Sequence, residues 1–184
     1  MRQNIRDIRR QIPVEQQSQH AHALASAFTG SPLFQHQHFA CYWAVDGEIS
    51  LKPLIDLLLS ANKTVYLPVL KRQSQALNFA HYHPKVDTTP NRFGILEPQE
   101  SQYTPLEALD VICLPLVGFD TQGHRLGMGG GFYDRTLSSV RDNPTPIRVG
   151  IAHNCQQQGQ IQAQEWDIPL HKILTESGFI EPQP

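Results

Sequence analysis

The residues whose types and spacing can do chemistry are concentrated in one stretch, Asp110 to Leu137, which reads DVICLPLVGFDTQGHRLGMGGGFYDRTL. An apolar run ends at Pro115, and Gly118, Gly123, Gly127, Gly129, Gly130 and Gly131 follow before the pattern turns helical. Glycine lets backbone N–H groups approach a ligand closely and take positive φ. A run of such amides ahead of a helix forms a concavity for an anion, phosphate above all. Arg125 adds a charge-assisted, bidentate donor for the same anion. Asp134, just past the glycines, is placed to hold a hard cation against phosphate oxygens. The segment is not a Walker A loop, because no G-x-x-x-x-G-K-[ST] occurs. Gly127 to Phe132 also departs from G-x-G-x-x-G at its last position. An inert glycine linker is the competing reading, but linkers rarely interleave Arg, an aromatic and Asp between a strand and a helix.

Other chemistry finds less support. The H-x-H pairs His20/His22, His36/His38 and His81/His83 would share a face only on a strand, and His20/His22 fall in a helical pattern with no acidic or cysteine partner spaced nearby. Cys41, Cys113 and Cys155 form no C-x-x-C pair, so neither a disulfide framework nor a thiolate metal site is readable. Ser138 and Ser139 lack a His/Asp arrangement for hydrolysis. A formal net charge of −2 argues against a dedicated nucleic-acid binder, which needs a basic excess to displace counterions. The charged start MRQNIRDIRRQI is no signal peptide, and no apolar stretch approaches the roughly 20 residues of a membrane span. A cytoplasmic protein with small-molecule ligands is expected, as a monomer or weak oligomer.

The elements that must position this loop follow from periodicity. Arg2 to Gln11 predicts a short basic helix, with Ile5, Ile8 and Ile12 at helical spacing. Pro13 predicts the start of a second, to about Phe28. His38–Ala44 predicts a buried strand, followed by a turn at Asp46-Gly47. Leu51–Ala61 predicts a helix and Thr64–Leu70 a strand, with another at Leu77–His81. Thr88 to Pro105 carries Pro90, Gly94, Pro98 and Pro105 and predicts a loop. Val111–Pro115 is a strand, Phe132–Val140 a helix and Arg148–Ala152 a strand; the glutamine-rich stretch Cys155–Gln164 is expected in solvent, before a last strand at Lys172–Thr175. Strands alternating with helices predict an α/β fold with a largely parallel sheet, in one domain spanning 1–184.

Gly118 to Asp134 fits GFD-x-x-G-x-RLG-x-GGG-[FY]-YD, which resembles the signature of the 5-formyltetrahydrofolate cyclo-ligase (methenyltetrahydrofolate synthetase) family. Further pieces match in family order. Arg2-x-x-Ile5-Arg6 resembles its K-x-x-[LI]-R, Glu48 its glutamate after the first strand, and Leu67-Pro68 its strand-end L-P. Phe93 to Pro98 resembles its F-G-I-x-E-P loop, and Trp166 to Pro169 followed by Ile173-x-Thr175-Glu176 resembles its D-x-P…T-E ending. The resemblance covers nearly the whole chain.

The resemblance implies a Rossmann-like three-layer sandwich that uses ATP and Mg²⁺ to turn 5-formyltetrahydrofolate into 5,10-methenyltetrahydrofolate, ADP and phosphate. Phosphorylation of the formyl oxygen makes it a leaving group, and N10 then closes the ring. Such phosphoryl transfer needs alignment and positive charge more than covalent help. Arg6 and Arg125 would be catalytic. Arg2, Arg6 and the run Arg125, Leu126, Gly127, Met128, Gly129, Gly130, Gly131, Phe132 and Tyr133 would bind ATP, and Asp134 would hold Mg²⁺. Trp43, Glu48, Gly129, Gly130, Gly131 and Phe132 would bind folate, Glu48 accepting hydrogen bonds from the pterin. For Arg6 the competing reading is a solvated basic face shared with Arg2, Arg9 and Arg10; for Glu48, an ordinary turn edge; for Trp43 and Phe132, core packing. Two positions depart from the family: Arg2 replaces its usual lysine, and His171 stands where many members place an aspartate, a second metal ligand. Asp167, although near, is not expected to point the same way. The alternatives are a non-catalytic nucleotide- or folate-binding module and a related ligase on another substrate.

Overall fold

The computed structural model describes residues 1–70, 75–99 and 102–183. In chain order the elements are α1 (Arg2–Arg10), α2 (Val14–Thr29), β1 (His38–Ala40), α3 (Lys52–Ser60), β2 (Thr64–Leu70), β3 (Leu77–Tyr82), β4 (Thr88–Pro90) and β5 (Leu96–Pro98). They continue as β6 (Val111–Pro115), β7 (Gly118–Phe119), β8 (Arg125–Leu126), α4 (Phe132–Leu137), β9 (Ile147–Ile151), β10 (Lys172–Thr175) and β11 (Gly178–Ile180). Local sequence explains several boundaries. Pro13 precedes α2 and supplies no N–H that the helix would need, and Pro53 sits in the first turn of α3. Asn62, just beyond α3, takes the left-handed conformation at φ 56°, which Asn tolerates and which ends helices.

Seven strands form one sheet in the order β11-β10-β9-β6-β1-β2-β3. The five inner strands are parallel, and β3 and β11 close the two edges antiparallel. Side chains alternate across the sheet, as strand geometry requires. Phe39, Cys41, Val111 and Cys113 join one hydrophobic cluster with Leu24, Phe28, Leu54 and Leu58 from α2 and α3. Ala40, Ile112 and Leu114 join the opposite one with Leu137 and Val140. The result is an α/β three-layer arrangement around a largely parallel sheet.

From β1 the chain winds outward to β2, and from β6 it winds the other way to β9 and β10. The carboxyl ends of β1 and β6 therefore flank the point where winding reverses, the usual ligand crevice of open α/β sheets.

Four expectations change. The first strand pairs only over His38–Ala40, because the chain beyond Cys41 leaves the ladder to line that crevice. Thr88 to Pro105 is not simply loop: β4 and β5 pair as a hairpin whose tip, 91–95, is held by Asn91 N–H to the Ile95 carbonyl at 2.8 Å. Residues 100 and 101 of that stretch lie outside the described residues. Within the glutamine-rich stretch Gln156 and Ile161 are buried. A final strand, β11, follows the turn 176–177. Among the described residues no helix is long and apolar enough to cross a membrane.

Candidate functional site

The signature stretch begins as a small hairpin. Gly118 and Phe119 of β7 pair with Leu126 and Arg125 of β8. Asp120 fixes its turn: the buried carboxylate accepts N–H groups of Gln122 and His124 at 3.0 Å and of Ile161 at 2.9 Å, and meets His124 Nδ1 at 3.0 Å. Burial opposes its ionisation, yet these donors hold the carboxyl below the usual range. The aspartate of the motif is thus a staple that also draws in residue 161.

Arg125 emerges from this hairpin with a side chain only 4% exposed. One Nη is ion-paired to Asp134, whose carboxylate also accepts the Ile168 N–H at 3.2 Å. Arg125 Nε is buried without a hydrogen-bond partner. Between Arg125 and Asp134 the glycine loop turns at Gly131, which takes φ 64°. A Cβ there would lie 2.8 Å from Arg135 Nη1, and that nitrogen donates to the Gly130 carbonyl at 2.6 Å. Helix α4 has six residues. Its dipole is correspondingly slight, and the arginines carry most of the positive potential.

Two unlike cavities meet at this loop. The larger, about 790 Å³, is basic: Arg2, Arg125, Arg135 and Arg141 line it together with Leu126, Gly129, Asp134 and Asp167. Arg2 Nε donates to the Gly127 carbonyl at 2.9 Å, tying α1 to the loop. The smaller, about 420 Å³, is mostly apolar: Tyr42, Trp43, Pro68, Phe93, Phe132 and Tyr133 line it, with Met128 and Gly130. Glu48, Glu97 and Asp134 are the carboxylates among its lining residues. Arg125, Gly127, Gly131 and Asp134 line both. Among the described residues the buried side-chain nitrogens without a partner are Arg125 Nε, Trp43 Nε1 and His153 Nε2. Two of these three belong to residues lining the smaller cavity. Buried donors are normally paired, so orphans at a cavity wall mark groups that a ligand satisfies.

Glu48 is positioned by a strained turn. Asp46 takes φ 56° and Gly47 φ 75°, and the carboxylate of Asp46 is gripped by Arg6 at 2.7 Å, Arg9 at 2.9 Å and Arg10. Burial raises the pKa of Asp46, but these guanidiniums outweigh it and hold the carboxyl at about 2. Glu48 Oε2 accepts the Val45 N–H at 3.1 Å and Oε1 lies 3.7 Å from Arg9. Here burial dominates, pushing Glu48 up to about 7. Burial likewise pushes the Tyr133 phenol up.

The sequence-predicted residues fall as follows. Arg2, Leu126 and Gly129 line the basic cavity; Trp43, Glu48, Met128, Gly130, Phe132 and Tyr133 line the apolar one; Arg125, Gly127, Gly131 and Asp134 lie between. Arg6 lines neither, its Nε being committed to Asp46. The four N-terminal arginines are not one solvated face, because Arg9 is fully buried: it donates to the Asp46 and Leu116 carbonyls at 2.8 and 3.0 Å. His171 lines neither cavity and packs on Arg148, accepting its backbone N–H at 3.1 Å. Asp167, not expected to point toward Asp134, lines the same cavity. Arg135 and Arg141 were not singled out, and Phe93 was named only as part of a family loop, with no site role. Phe93 in particular reaches the site from the β4–β5 hairpin and meets Phe132 edge to face at 6.1 Å.

Fold and site together define a doubly wound α/β protein with a basic, glycine-walled cavity opening onto an apolar one. The sequence model of the 5-formyltetrahydrofolate cyclo-ligase family matches residues 1–176, and the chain belongs to that family of enzymes. It is 43% identical to the 5-formyltetrahydrofolate cyclo-ligase of Escherichia coli K12 over 177 residues, covering 94% of this chain and 97% of the relative. It is equally similar to that of Haemophilus influenzae, 43% over 178 residues and 95% of each chain. The solved structure of Aquifex aeolicus 5,10-methenyltetrahydrofolate synthetase superposes with a TM-score of 0.85 at 28% identity, covering 100% of this chain and 91% of that one.

Proposed function

We propose that the chain catalyses the ATP- and Mg²⁺-dependent cyclisation of 5-formyltetrahydrofolate to 5,10-methenyltetrahydrofolate, releasing ADP and phosphate. The observation that carries this reading is the junction of the two cavities at Arg125, Gly127, Gly131 and Asp134. Both volumes fall near the roughly 300–1,000 Å³ of ligand pockets. The basic cavity suits the polyphosphate of ATP, and the apolar one a flat pterin. The γ-phosphoryl group and the formyl oxygen then meet at the wall the cavities share.

The chemistry follows from that meeting. The formyl oxygen attacks the γ-phosphorus, the bond to the β-phosphate oxygen breaks, and ADP leaves. The resulting N5-iminium phosphate is open to attack by N10 at the formyl carbon; N10 loses its proton and inorganic phosphate departs with the oxygen. Arg125 sits where the phosphoryl group would pass, with an unpaired N–H to give it, and the loop amides and Arg2, Arg135 and Arg141 surround the remaining phosphates. Glu48, as a carboxylate, accepts N–H groups of the pterin, and Trp43, Phe93 and Phe132 enclose its faces. Asp134 and Asp167 are hard-oxygen donors on the same cavity and fit Mg²⁺, which would neutralise phosphate charge when bound. In this reading residues 1–184 act as one unit in the cytoplasm, on small molecules without nucleic acid or membrane, as a monomer or weak oligomer.

Incubation with 5-formyltetrahydrofolate, ATP and Mg²⁺, with methenyltetrahydrofolate followed by its absorbance, tests the reading. ATP-dependent product is expected. No product at high enzyme concentration contradicts it.

A further inference from the structure

Away from both cavities, three side chains from distant parts of the chain converge at the carboxyl edge of the sheet. His20 comes from α2, His153 follows β9 and Glu176 follows β10. One ligand atom from each lies within 4.8 Å of the others. His20 Nδ1 is 2.8 Å from His153 Nδ1 and 3.7 Å from Glu176 Oε1. His153 is fully buried, and its Nε2 has no hydrogen-bond partner. His20 and Glu176 are each 15% exposed at the side chain, which leaves an entry from solvent.

We infer that His20, His153 and Glu176 form a binding site for a divalent ion of the zinc class, separate from the nucleotide and folate cavities.

The donor set fits such an ion: two imidazoles and one carboxylate, with the remaining positions open to water. Burial pushes His153 down to about 4, so its ring is neutral, and the same side chain accepts the Gln156 N–H in a capping box that a bound ion would have to displace. Two Nδ1 atoms at 2.8 Å imply one proton held between them when no metal is bound. The cation replaces that proton, which moves to the Nε2 of the same ring, and accepts both Nδ1 lone pairs. Two nitrogens on a tetrahedral ion at about 2.0–2.1 Å from each stand about 3.3 Å apart, so the rings need part by only about half an ångström. Glu176 is held ready: its two oxygens accept the Asn154 N–H at 3.2 and 3.0 Å, which keeps the carboxylate beside His153. No single-segment pattern predicts the cluster, since its members are 133 and 23 residues apart and meet only through the sheet. Occupancy would pin α2 to the carboxyl ends of β9 and β10.

The test is metal binding by the full chain, read without any turnover assay. After chelator treatment, Zn²⁺ is titrated in competition with a chromophoric chelator, and Co²⁺ is added separately to read its visible ligand-field spectrum. One equivalent is expected, with a Co²⁺ spectrum of low coordination number. His20→Ala and Glu176→Gln, both at partly exposed positions, should each weaken Zn²⁺ by at least the roughly 10–100-fold that losing even an outer partner costs. A His81→Ala/His83→Ala double variant removes the pair of imidazoles whose rings lie 5.6 Å apart on the sheet edge. It should leave the affinity unchanged. The proposal is overturned if the parent retains no ion, if His20→Ala and Glu176→Gln bind like the parent, or if only the His81/His83 variant loses binding.

Discussion

Arg9 and Arg125 are both buried arginines paired with aspartates, yet their surroundings differ in one respect. Every contact of Arg9 closes on the protein itself: Asp46 twice, the Leu116 carbonyl and, more distantly, Glu48. Arg125 pairs with Asp134 but leaves Nε without a partner at the wall of two cavities. A saturated guanidinium holds a fold together, whereas an unsaturated one at a cavity wall is held for a ligand. On the proposed function, the Arg9–Asp46 pair serves stability and the glycine loop serves ligand binding.

The largest effect that would sharpen this contrast is on stability. Arg9→Ala removes a fully buried guanidinium from Asp46 and from the Asp46 and Leu116 carbonyls. Asp46 keeps Arg6 and Arg10, and the Leu116 carbonyl keeps Gln156 Nε2. The expected cost is therefore about 3 kcal/mol, the low end for breaking a buried pair. Chemical denaturation should show that loss, and any folded fraction should keep near-normal ATP KM. A stable Arg9→Ala chain with poor ATP use would reverse the assignment. Next is Arg125→Ala, expected to cost about 1.5–3 kcal/mol of transition-state stabilisation, a drop of roughly 10–150-fold in kcat/KM for ATP. Unchanged kinetics would break the contrast.

A smaller effect concerns pH. Glu48 is raised to about 7, so the folded protein keeps a proton that the unfolded chain releases near its ordinary value of about 4.5. For this group stability is full below about 4.5 and is lost as pH rises through about 7. Pterin recognition needs the carboxylate, so folate KM should fall as pH rises from about 6 to 8. Steady-state kinetics should show Glu48→Gln with a weaker, flat profile over that range. A parent profile equally flat would show that Glu48 does not read the pterin.

The sequence made some of this legible and hid the rest for physical reasons. The glycine loop and the strand feeding it were readable because six glycines, an arginine and an aspartate sit within one continuous stretch. Glu48 was named only through the family resemblance, since spacing alone left it a turn-edge glutamate; β1 and β6 bring Tyr42 to Glu48 beside that loop. Arg9 looked like a solvated neighbour of Arg6 and Arg10; its main partner is Asp46, 37 residues away, in a turn that the sequence announced without showing what would dock on it. Phe93 was quoted in the family loop, but its place in the site was hidden because its hairpin carries prolines that read as loop. Asp167 reaches the basic cavity because the chain around 168 docks on Asp134, a long-range contact.

The most direct test of the central claim, that two ligands occupy two cavities joined at one wall, is a crossed measurement of KM. Glu48→Gln removes a group found only in the apolar cavity, and Arg135→Ala one found only in the basic cavity. KM for 5-formyltetrahydrofolate and for ATP is measured for the parent and both variants in the same assay. Glu48→Gln should raise the folate KM about tenfold and leave ATP nearly unchanged, and Arg135→Ala should do the opposite. Equal changes in both constants for either variant, or changes in the reverse order, would contradict the account.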